Sequence, residues 1–147
     1  SSAASDVYKR QEQKLFDKVA SLDTKQRIHI CPFTEQIADY YAAFNIFVLP
    51  SIQPDPFPTV VLEAMSNSLP VVAYDHGGAS EMILDNETGY LCLPLGATKL
   101  SQKLDLLVGD SSLRVKMGKK ANIRQEKFFS LSQFVERFTQ VYLSLIS

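Results

Sequence analysis

Asp55 and Glu63 stand eight positions apart, with Pro56-Phe57-Pro58-Thr59-Val60-Val61-Leu62 between them. A carboxylate accepts two hydrogen bonds at once and so suits a pair of neighbouring hydroxyls. Glu63 lies among Val60, Val61, Leu62, Ala64 and Met65, where an idle charge is expensive to place, so a partner is expected for it. Asp55 sits in a proline loop, where aspartate either closes a turn on its own backbone or faces a ligand. Pro58 suits the first turn of a helix, because its missing N–H is not needed there. The free N–H groups of that turn, near Phe57, Thr59 and Val60, would face a phosphate. Gly77 and Gly78 permit either close backbone approach to a ligand or a tight turn into the next helix.

The elements that must position these groups are legible around them. Ile46 to Leu49 is a short continuous apolar run, as expected of a parallel strand buried on both faces. Pro50 to Phe57 is the stiff loop leaving it, and Thr59 to Met65 continue as a helix. Pro70 to Tyr74 is a second buried strand, followed by Asp75-His76-Gly77-Gly78 and a short helix from Ala79 to Leu84. Asp85-Asn86-Glu87-Thr88-Gly89 is an exposed turn by composition, and Tyr90 to Leu93 is a further strand. Upstream, Leu15, Phe16, Val19 and Leu22 share one face of a helix over residues 12–22. Arg27 to Ile30 alternates as a strand, and Thr34 is placed to cap a helix running to Phe44. Helices over about 98–108, 112–127 and 130–146 complete the chain. Strands alternating with helices predict an α/β fold: a Rossmann-like, doubly wound parallel sheet of about four strands with helices on both faces. Ligands of such sheets bind outside the carboxyl ends of the strands, where Asp55 is delivered.

Asp55 to Met65 resembles the E-x7-E segment of retaining GT-B glycosyltransferases, in particular glycosyltransferase family 4. The likeness continues through Pro70-Val71-Val72-Ala73, Gly77-Gly78-Ala79-Ser80-Glu81 and Thr88-Gly89-Tyr90-Leu91, with Ala38-Asp39-Tyr40-Tyr41 where the family has a Tyr-rich helix. It covers nearly everything from Gln26 to Tyr142. The resemblance implies a partial C-terminal, nucleotide-sugar-binding domain over residues 12–147, truncated at its N-terminal side. It implies metal-independent, retaining hexosyl transfer from a nucleoside-diphosphate sugar, with no further cofactor, in cell-envelope or capsular polysaccharide synthesis. Asp55 and Glu63 then take the catalytic positions, Glu63 on ribose and Asp55 on the donor sugar. Phe57, Pro58, Thr59, Val60, Gly77 and Gly78 line the substrate, and Cys31 to Phe33 approach the base. The glycan or lipid-linked acceptor would belong to an N-terminal domain outside this chain, so the piece alone is expected to be inactive. A non-catalytic nucleotide-sugar module and a GT-B nucleotide-sugar epimerase are the alternatives.

Three departures from the family pattern bear on the site. Asp55 replaces the usual Glu, which shortens the reach by roughly 1.5 Å at most. Pro58 stands where many members have Gly, removing one N–H. Ser68 replaces the Gly that normally closes the helix, so Asn67 is expected to take the left-handed conformation instead.

Composition excludes several other classes. A net charge of −1 over 147 residues argues against a nucleic-acid partner held by phosphate neutralisation. No apolar run approaches the ~20 residues of a membrane-spanning helix. Cys31 and Cys92 have no metal-ligand spacing, Cys92 fits a buried thiol, and a reducing compartment is expected; the resemblance implies a cytoplasmic place. There is no D-x-D, H-E-x-x-H, G-x-S-x-G, Walker loop or G-x-G-x-x-G, so no metal site is expected. Lys116, Lys120, Arg124 and Lys127 share a helical face, either solvated or in peripheral contact with the inner face of a membrane. His76 borders the glycine loop and is within range of a phosphate; His29 receives no role. Residues 1–11 resemble a translated sequencing adapter; on that expectation the chain would be a bacterial metagenomic piece and those residues would lie outside fold reasoning.

Overall fold

The computed structural model describes residues 12–146, so the expectation for residues 1–11 lies outside them. The chain divides into a unit ending at Glu35 and a larger unit beginning at Gln36. In the first, helix α1 covers residues 12–20, and Lys25–Arg27 forms a single 3-10 turn. Residues 28–33 have no regular structure, which corrects the strand expected at Arg27 to Ile30. An alternating pattern makes a strand only where a neighbouring backbone takes up its N–H and C=O groups.

The second unit contains helix α2 (Ile37–Ala43), strand β1 (Phe47–Leu49), helix α3 (Thr59–Ser66), strand β2 (Val71–Tyr74) and helix α4 (Ala79–Met82). Strand β3 (Gly89–Cys92) and helices α5 (Ala97–Gly109), α6 (Ser111–Phe129) and α7 (Leu131–Ile146) follow. The strands form one parallel sheet in the order β1-β2-β3, with Phe47 opposite Val71 and Val72 opposite Tyr90. Three described strands replace the four expected.

β2 is buried along its whole length, and its alternation divides the core in two. Val71 and Ala73 pack with Tyr41, Val61, Ala64, Met65, Met82 and Ile83 from α2, α3 and the α4 end. Val72 and Tyr74 point the other way, to Tyr90, Cys92, Leu107 and Met117. Helices therefore cover both faces, and the fold is that expected. Cys92 is buried, which pushes its thiol pKa up.

α2 starts from Gln36, not Thr34, with no side-chain cap. Pro58 is the N-cap of α3 rather than its first helical residue. At the other end of α3, Ser68 takes the left-handed conformation (φ 57°), while Asn67 stays right-handed (φ −88°). Asn67 instead donates through its amide to the Glu63 carbonyl at 2.9 Å. Ser68 N–H bonds to Met65 O and Leu69 N–H to Ala64 O, the two bonds of a Schellman closure. Gly118 of α6 packs against this turn so closely that a Cβ there would lie 1.9 Å from the Ser68 oxygen.

Two of the four residues of the basic face expected on α6, Arg124 and Lys120, have internal partners. The Arg124 guanidinium donates to the Met82 and Glu81 carbonyls, both at 2.8 Å, closing the end of α4. Lys120 pairs with Glu87 at 3.1 Å.

Candidate functional site

Because β1 and β2 are parallel, their exit loops emerge at the same sheet edge. Two hydrogen bonds join those loops. Gly78 N–H donates to the Asp55 carbonyl at 2.8 Å, and His76 Nε2 lies 2.8 Å from the Ser51 carbonyl. The glycines are required by this contact. Gly77 has φ 57°, and a Cβ on it would meet Asp55 O at 2.4 Å; one on Gly78 would meet Pro56 O at 2.3 Å. Of the two uses foreseen for these glycines, the tight turn into the next helix is the one observed, with Gly77 left-handed and Gly78 the N-cap of α4, and the backbone they approach is the Asp55 loop.

Asp55 is exposed, and its Oδ1 accepts from Phe57 N–H at 2.9 Å in a side-chain turn. One oxygen thus holds the loop in shape while the carboxylate stays at the surface. Pro58 follows as a buried N-cap, and Val61 N–H already bonds to its carbonyl at 3.0 Å. Thr59 and Val60, both exposed, carry the remaining N–H groups of the first turn, and the helix dipole makes that end attractive to an anion.

Glu63 is half-buried on α3, one turn beyond Val60. Tyr41 approaches from α2 with its ring in the core, and its hydroxyl donates to Val60 O at 3.4 Å. Burial first, then a hydrogen bond and the charge of Glu63, push the Tyr41 phenol up to about 12. Glu63 therefore has a fixed neighbour, Tyr41, that sequence spacing alone did not indicate. The structure brings Asp55, the α3 first turn, Gly77 and Gly78 together at one edge, with Glu63 behind them on α3. Cys31 and Phe33 are exposed in the unit ending at Glu35.

Beside the loops, Phe57, Phe128, Phe129, Phe134 and Phe138 line a cleft of about 390 Å³ with Glu81 and Arg137 on it. The sequence gives no local signal for it, since Phe57 and the other rings come from distant segments. Among the described residues no three His, Cys, Asp or Glu side chains converge as a metal site, and no helix is long and apolar enough to cross a membrane.

The chain is similar to known glycosyltransferases in sequence and in fold. An uncharacterised glycosyltransferase of Haemophilus influenzae is 30% identical over 119 residues, 80% of this chain and 33% of that protein. Sucrose-phosphate synthase from Thermosynechococcus elongatus superposes with a TM-score of 0.84 at 27% identity, over 93% of this chain and 35% of its own. Anabaena HepE in complex with UDP-glucose gives 0.83 at 23% identity, over 90% of this chain and 36% of its own, a likeness of fold. The chain thus spans about a third of the length of these proteins. Residues 8–124 match the family model described as glycosyl transferases group 1, and the chain belongs to that family.

Proposed function

We propose that the chain is the donor-binding part of a retaining, metal-independent hexosyltransferase that uses a nucleoside-diphosphate sugar. The observation carrying this is the joined edge: the Asp55 turn held against Gly78, with the α3 N-terminus and Glu63 following directly. The diphosphate sits against the Thr59 and Val60 N–H groups, where oriented dipoles stabilise charge as the leaving group departs. Glu63 accepts from the ribose hydroxyls and Asp55 from the sugar. The HepE structure with UDP-glucose supports a uridine nucleotide as the first donor to try. The acceptor, a glycan or lipid-linked sugar of the cell envelope, meets the donor through a further domain in the cytoplasm, at the inner face of the membrane.

Calorimetry on this chain with UDP and UDP-glucose, followed by product analysis with a chain spanning the full length of its relatives, tests the reading. A new glycoside of retained configuration is the expected product. An isomerised sugar nucleotide would mean an epimerase, and binding without turnover a non-catalytic module.

A further inference from the structure

His76 leaves β2 and reaches across to the exit of β1, where its Nε2 is 2.8 Å from the Ser51 carbonyl. A carbonyl only accepts, so Nε2 carries the hydrogen, and in that tautomer Nδ1 keeps a lone pair. That Nδ1 is buried and has no hydrogen-bond partner among the described residues. Buried polar atoms in folded proteins are nearly always satisfied, so an orphan next to a ligand edge points to a partner from outside the chain. The ring also borders a recess of about 10 Å³ shared with Ser51, Gln53, Asp55, Pro58 and Tyr74. Space of that order admits about one oxygen atom.

We propose that His76 Nδ1 accepts a hydrogen bond from a hydroxyl of the donor sugar, beside the hydroxyl taken by Asp55. Two acceptors on joined loops match a sugar presenting neighbouring hydroxyls, and His76 becomes a specificity-determining residue. Its Nε2 bond to Ser51 fixes both the tautomer and the ring orientation. The inference rests on the donor-site reading above and names one of its contacts.

Two substitutions separate the ring nitrogens. His76→Gln places an amide where Nε2 stood, keeping a donor for Ser51 but losing the Nδ1 acceptor. His76→Asn places its oxygen near Nδ1 and gives up the Ser51 bond. Calorimetry with UDP and with UDP-glucose is run on the wild-type chain and both variants. The preference for UDP-glucose over UDP should fall about three- to tenfold in His76→Gln, the loss of one hydrogen bond, and less than twofold in His76→Asn. The wild-type chain, labelled with 15N in histidine, gives the same answer without a variant: the Nδ1 resonance should move on adding UDP-glucose and not UDP. An unchanged preference in His76→Gln with a still Nδ1 resonance overturns the His76 contact while UDP binding keeps the donor site. A wild-type chain that holds neither ligand overturns the donor site itself, and the contact with it.

Discussion

Gly78 donates its N–H to the carbonyl of Asp55 at 2.8 Å, so the loop after β2 sets the position of the loop after β1. Gly78→Ala should therefore act on ligand binding through Asp55. The added Cβ would lie 2.3 Å from Pro56 O and 3.0 Å from the Pro58 ring, and backbone must move to admit it. Overpacking of this kind costs about 1–3 kcal/mol. Gly118→Ala is the matched control, since it meets Ser68 O at 1.9 Å, at the far end of α3. Both should lower the thermal midpoint, but only Gly78→Ala should weaken UDP-glucose binding by the folded fraction. Equal affinities would detach the glycine contact from the site.

Glu63→Gln keeps the shape of the side chain and loses its charge and one acceptor. Hydrogen bonds to charged groups contribute ~1.5–3 kcal/mol, so affinity for bare UDP should fall about tenfold or more. Sugar preference should change less. Unchanged UDP affinity in calorimetry would remove Glu63 from the ribose.

Asp55→Asn and Asp55→Ala divide the two uses of that side chain. The amide oxygen of Asn can still accept from Phe57 N–H, keeping the turn now closed at 2.9 Å. Asn should hold UDP as the wild type does and lose UDP-glucose preference; Ala should lose both, because the loop opens as well. Asn behaving like wild type with UDP-glucose would confine Asp55 to shaping the loop.

The sheet and its core were legible because Ile46 to Leu49 and Pro70 to Tyr74 are continuous apolar runs; β2 is buried along its whole length, as expected, whereas β1, at the edge of the described sheet, is only half-buried. The loop and helix carrying Asp55 and Glu63 were legible for a local reason too: proline fixes backbone geometry wherever it stands. Ser68 was misjudged because propensity favours Asn for a left-handed residue, yet the Schellman bonds and Gly118 packing specify position 68. Bonds such as His76 to Ser51, 25 positions apart, and the neighbours Tyr41 and Glu63 left no trace in spacing. They arise from parallel strands placing their exits side by side, a property of topology. The Asp55 turn was visible as one of two uses for the residue, and the structure uses it while leaving the carboxylate exposed.

Tyr41 gives the fold a dependence on alkaline pH. Its phenol titrates near 10 when unfolded and at about 12 in the fold, so the folded state holds the proton more tightly. The associated stability is fully present below pH 10 and is lost as pH rises through about 12. Urea unfolding between pH 9 and 12 should show wild-type stability falling faster than that of Tyr41→Phe, with the two curves converging upward in pH. Parallel curves would show that Tyr41 is not the group responsible.

The chain by itself should fold, associate and transfer no sugar. Its second unit has a core on both sheet faces, enough for a compact α/β body. Two surfaces invite association. β1 forms an edge of the described sheet, and exposed edges pair with other chains. On α7, Leu131, Phe134, Phe138, Val141 and Leu145 follow one helical stripe and remain 60–79% exposed. Light scattering at micromolar concentration should therefore show dimers or larger species, reduced when Phe134 and Phe138 are both changed to Ser. Weak UDP binding should accompany this, because the α3 N-terminus is in place. Transfer needs an acceptor held in line with the donor and shielded from water, and the chain spans about a third of the length of its relatives. Incubation with UDP-glucose and a lipid-linked or glycan acceptor should then yield no glycoside. Glycoside formed by the purified chain, with host enzymes excluded, would show that these residues already contain an acceptor site, and the Phe57 cleft would be the first place to look.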